Sequence, residues 1–87
     1  MRIKDGYILK KLNMGYVVIP VGPASMEFNG VIRLNETGMF LWQSIQDGAD
    51  SREKLLAAML KRYAGLDENI ACQDLDEFLD AAAFFLE

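Results

Sequence analysis

Asp76 and Asp80 stand four residues apart, a spacing that puts two carboxylates on one face of a helix, as a general acid–base pair or a hard-metal site would require. No other ligand type sits beside them, and a solvated helix face accounts for the pair. Cys72 is the only cysteine and histidine is absent, so the thiol has no imidazole to activate it and reads as a half-buried structural residue. The same two counts exclude Ser/His/Asp and Cys/His nucleophilic sites, histidine–metal sites, thiolate clusters and an internal disulfide. Gly48 and Gly65 read as helix C-caps with no phosphate-binding pattern around them. Trp42, with Met39 and Phe40, falls at helical spacing and is expected in the core. No catalytic residue, no metal ligand and no cofactor is assigned.

The chain that must position these residues has 87 amino acids, 52% hydrophobic and 25% charged, with a formal charge of −4. One folded domain over residues 1–87 is the expectation. A chain this short buries roughly 60–70% of its unfolded surface, which leaves little apolar area for a deep enclosed active site. Net negative charge argues against binding nucleic acid through its phosphates. The opening residues lack the apolar run of a signal peptide, and no stretch is long and apolar enough for a membrane span. A cytoplasmic location and no membrane partner are expected.

Two periodicities divide the chain. Over residues 7–34 the β-branched and aromatic runs Tyr7-Ile8-Leu9, Tyr16-Val17-Val18-Ile19 and Phe28 to Leu34 predict three strands. Asn13-Met14-Gly15 supplies a hairpin turn between the first two, and the segment from Pro20 to Pro23 reads as a loop and hinge. Helical spacing then predicts helices at about 36–46, 51–63 and 68–86. Asn35 is the expected N-cap of the first, and Asp50 with Glu53 resembles a capping box for the second. The resulting class is α+β, winged-helix-like, a three-stranded antiparallel sheet followed by three helices.

Charge is split unevenly along this order. Residues 1–45 hold five bases and three acids, whereas residues 46–87 hold four bases and ten acids. The third helix is thus an apolar stripe edged by carboxylates. In a meander the first and third strands are sheet edges, whose unpaired backbone groups natural proteins usually block. Lys10-Lys11 blunts the first. The third has one charge, Arg33, beside Gly30 and Val31-Ile32, so its edge is open to the protein's own helix, a second copy or an incoming peptide strand.

The run Val31-Ile32-Arg33-Leu34-Asn35-Glu36-Thr37-Gly38-Met39-Phe40-Leu41-Trp42 resembles the PqqD-like family, peptide chaperones of pyrroloquinoline quinone biosynthesis and related peptide-modification systems. Leu55-Leu56 through Tyr63 and Asp74-Leu75-Asp76-Glu77-Phe78-Leu79 match that family's second and third helices, so the resemblance spans nearly the whole chain. It implies a non-enzymatic domain that binds the leader of a ribosomally made precursor peptide and presents it to a modifying enzyme, often a radical SAM maturase. It also implies that the leader adds as an antiparallel strand to the third strand. On matching positions the strand wall is Phe28, Asn29, Gly30, Val31, Ile32, Arg33 and Leu34, and the helix wall is Asp74, Leu75, Phe78, Leu79 and Ala82. An acid at Asp74 would favour a leader with Lys or Arg facing that wall.

Three helices with a small sheet also describe a winged-helix nucleic-acid-binding or transcriptional adaptor, but its recognition helix should carry Lys or Arg and the last helix here has none. The C-terminal Ala81-Ala82-Ala83-Phe84-Phe85-Leu86-Glu87 departs from the Gly-Leu-apolar tail of many relatives. Phe84 lies off the main stripe, so this end is expected to be exposed and to dock on the enzyme, a second copy or a further domain. A homodimer formed by exchange of the first hairpin about the proline hinge is a further expectation.

Overall fold

Two runs rich in β-branched and aromatic residues form the first hairpin of this computed structural model, which describes residues 1–26 and 31–87. β1 (Tyr7–Leu12) and β2 (Gly15–Pro20) pair antiparallel, Tyr7 opposite Pro20 and Leu12 opposite Gly15. Gly15 turns the chain at φ +130°, a conformation that favours glycine. β3 (Ile32–Leu34) pairs antiparallel with the other side of β2, Tyr16 opposite Leu34 and Val18 opposite Ile32, giving the sheet order β1-β2-β3. The segment expected as a proline loop instead contains a 3-10 turn, Gly22–Met26, in which the Ser25 hydroxyl donates to the Gly22 carbonyl at 2.7 Å. Of the expected third strand, Phe28, Asn29 and Gly30 lie outside the described residues, and Val31 precedes the strand proper.

Three helices follow. α1 (Glu36–Gln46) starts where its cap requires, with the Asn35 Oδ1 accepting from the Gly38 N–H at 2.7 Å. α2 (Arg52–Arg62) is capped by Ser51, whose hydroxyl accepts from the Lys54 N–H at 3.2 Å, and not by Asp50 as the capping-box spacing suggested. Asp50 is left outside the turn and binds the Lys54 ammonium at 2.8 Å instead. α3 (Glu68–Ala82) is capped by Asp67, which accepts from the N–H groups of Asn69 and Ile70.

α3 ends four residues before the expected limit of 86, where the chain tightens into a 3-10 turn, Ala83–Phe85. The reason is tertiary. Residues 2–4 come back antiparallel against residues 85–87, with an Ile3–Leu86 bridge, an Arg2–Glu87 ion pair and mutual backbone bonds between Arg2 and Glu87. Phe84 is half exposed, yet it carries the Lys4 ammonium 4.7 Å from its ring centre and meets Tyr7 edge-on. The chain's own N-terminal segment therefore packs against this end.

One core joins the sheet to all three helices. Tyr7, Val18 and Leu34 from the sheet pack with Leu41, Trp42, Leu55, Met59, Leu75, Phe78 and Phe85. Trp42 is fully buried, as its spacing predicts. Among the described residues no helix is long and apolar enough to cross a membrane.

Candidate functional site

The last strand of the sheet is where backbone hydrogen bonding remains unfinished. Among the described residues β3 pairs with β2 alone, so its outer side presents N–H and C=O groups that another strand could take up. β1, at the opposite edge, carries the exposed Lys10 and Lys11.

Beside the β3 edge lies a hollow of about 210 Å³. Arg33 and Leu34 form its strand wall, and Asn35, Thr37 and Gly38 at the start of α1 form its end. Asp74, Glu77, Phe78 and Ala81 form its helix wall. The fold brings these segments together through Gly38. A Cβ there would lie 3.3 Å from Leu34 Cβ, Leu34 Cδ2 and the capping Asn35 Oδ1, so the absent side chain lets α1 start hard against β3.

The rim is charged and the floor is not. Asp74 is half-buried and Glu77 exposed, Arg33 is exposed on the opposite wall, and none of the three forms an ion pair among the described residues. Phe78 is buried beneath them. Asp76 points elsewhere and is taken by Arg52, whose guanidinium holds its carboxyl below the usual carboxylate range. The Asp76–Asp80 pair is thus not a shared site, because one member is tied to α2. Cys72 is a free, half-buried thiol.

The helix wall differs in detail from its sequence assignment. Asp74 and Phe78 line the hollow, whereas Leu75 and Ala82 point into the core at 0% and 2% exposure and Leu79 packs against the core without lining the hollow. Glu77, Ala81, Thr37 and Gly38 also line the hollow and are not among the residues assigned from the sequence. For the two on α3 the signal lies in the helical period: with Ala71, Leu75, Phe78 and Ala82 centred on the core, the positions one step around the helix are Asp74, Glu77 and Ala81.

The family model for coenzyme PQQ synthesis protein D (PqqD) matches residues 16–83, from the second residue of β2 to the turn after α3. The chain belongs to the PqqD family. No curated protein matches it. Among solved structures, TbiB1 in complex with the TbiA(beta) leader peptide is similar to this PqqD-family chain with a TM-score of 0.74 and 22% identity, covering 100% of this chain and 95% of that one. At that identity the likeness is one of fold: a three-stranded antiparallel sheet followed by three helices. Both walls of the hollow lie inside the span that the PqqD model matches.

Proposed function

We propose that this PqqD-family chain is a non-enzymatic chaperone for a ribosomally made precursor peptide. It takes the leader segment as a strand added antiparallel to β3 and presents the peptide to a modifying enzyme of radical SAM type in the cytoplasm. The observation that carries this reading is the coincidence of an unpaired strand edge with an open hollow whose far wall is a helix. Family membership supports it, as does the fold shared with TbiB1, which was solved holding a leader peptide.

Backbone hydrogen bonds along residues 28–34 would set the register, and alternate side chains of the added strand would face the hollow. Asp74, Glu77, Phe78 and Ala81 are the groups that would read them, while Leu75 and Ala82 hold that wall from inside the core. Two carboxylates above an aromatic floor suit a Lys or Arg side chain, whose aliphatic stem packs on apolar surface while its head meets charge. The chain itself performs no bond chemistry; it raises the local concentration of peptide near the enzyme.

The test is residue-level amide chemical shifts of labelled protein on addition of the short precursor peptide encoded nearest its own gene. Shifts concentrated on Val31 to Leu34, Asp74, Glu77, Phe78 and Ala81 are expected. No shift there, from a peptide shown to be the enzyme's substrate, would overturn the reading.

A further inference from the structure

The face of the sheet turned away from the helices is apolar where a solvated sheet would be polar. Side chains alternate along a strand, and the core takes Tyr7, Leu9, Tyr16, Val18, Ile32 and Leu34, all on one face. The opposite face follows from the pairing register. Ile8 stands opposite Ile19, Lys10 opposite Val17 and Val17 opposite Arg33, and Leu12 opposite Gly15. Two apolar rows thus flank one row with a base at each end, and among the described residues no acid lies on this face. Ile8 is 44% and Leu12 41% exposed, whereas Val17, in register between Lys10 and Arg33, is buried at 7%.

An antiparallel sheet with one solvated face normally carries polar residues there. Contiguous apolar side chains left in water mark an interaction surface. A second copy docked by two-fold symmetry would set Lys10 and Arg33 against the same bases, a like-charge contact that disfavours it. We infer that this sheet face docks a protein partner whose surface presents apolar side chains divided by carboxylates, and that the partner is the modifying enzyme. The last step rests on the proposed function.

Position adds to charge. Arg33 belongs both to this face and to the hollow beside β3, so an enzyme seated on Ile8 and Leu12 would border the edge where the peptide lies. The apolar surface continues past Leu12 into a recess of about 380 Å³ between the hairpin tip, with Met14, and Arg33. Peptide and enzyme would then hold adjoining surfaces of one small sheet without competing for it.

The experiment compares the wild-type protein, an Ile8→Ser/Leu12→Ser double variant and Lys10→Glu, each titrated against the purified modifying enzyme encoded in the same gene cluster and, separately, against its precursor peptide. All three altered residues are exposed, so the fold persists and is checked by thermal melting. Enzyme affinity is expected to fall about tenfold or more in the double variant. It should fall in Lys10→Glu by a factor that shrinks as salt rises, with peptide affinity unchanged in both. Enzyme affinity kept within twofold in both variants would overturn the inference. So would a parallel loss of peptide binding, which would assign the face to the peptide, or a dimer in light scattering that the variants abolish. Wild-type protein that binds the enzyme but not the peptide would remove the proposed function and leave this surface standing; wild-type protein that binds neither would remove both.

Discussion

Arg52 holds Asp76 with two hydrogen bonds, Nε to Oδ1 at 2.9 Å and Nη2 to Oδ2 at 3.2 Å, and so ties the first turn of α2 to the middle of α3. The contact matters to the site because it withdraws one carboxylate from α3 into a structural pair and leaves Asp74 and Glu77, on the neighbouring face, facing the hollow.

This pair should show itself in acid. The Asp76 carboxyl is held down chiefly by the hydrogen bond from Arg52 and also by its charge. A native pKa below the unfolded value of about 3.9 stabilises the fold above that value, and the contribution is lost as pH falls through the native pKa. Asp76→Asn should therefore melt slightly below the wild type at pH 7, and the two should converge near pH 2. The gap is small because both side chains are solvent-exposed. A gap that stays constant across that range would show that the ion pair is not its source.

Trp42 separates packing from polarity. It is fully buried with its ring centre 6.0 Å from that of Phe85, and its Nε1 finds no hydrogen-bond partner among the described residues. Trp42→Ala should cost about 3–5 kcal/mol in chemical denaturation. Trp42→Phe should cost clearly less, since it keeps a ring in place and removes an unsatisfied donor. Equal losses would mean that the indole nitrogen is satisfied after all.

Helix starts supply a third check. Asn35→Ala should lose about 1 kcal/mol by removing the acceptor for the Gly38 N–H, whereas Asn35→Asp should be nearly neutral because the carboxylate caps as well. At the next helix, Ser51→Ala should lower the melting temperature more than Asp50→Ala, since Ser51 is the cap. The reverse order would restore Asp50 to that role.

Charge on the α3 rim should select among leaders. Asp74→Lys or Glu77→Lys is expected to weaken a leader carrying Lys or Arg over the hollow by about 3–10-fold at low salt, and a neutral analogue of the same peptide much less. Titration calorimetry with both peptides measures the difference. Equal losses for the two would remove charge as the selecting feature while leaving strand addition intact.

Much of this was legible in one dimension because it depends on near neighbours. The order of three strands and three helices follows from a change of period at Asn35, where a cap residue meets the first helical turn, and the structure reproduces it. Burial of Trp42, Leu55 and Leu75 follows from helical spacing alone. The resemblance over Val31 to Trp42 pointed to the family that the match over residues 16–83 shows.

Local periodicity settles which residues of α3 are apolar and that its other faces are acidic. It does not settle how the helix is rotated against β3, because that angle is fixed by Leu75 and Ala82 sinking into a core built from distant segments. That rotation turned Asp74, Glu77 and Ala81 toward the hollow and placed Asp76 beside Arg52. The end of α3 was likewise decided from outside, by an N-terminal segment 85 positions away at the Arg2–Glu87 pair, which no window of the C-terminal sequence contains. The sequence by itself determined the elements, their caps and their charge; packing between residues far apart along the chain decided which carboxylates face the open edge and which serve the fold.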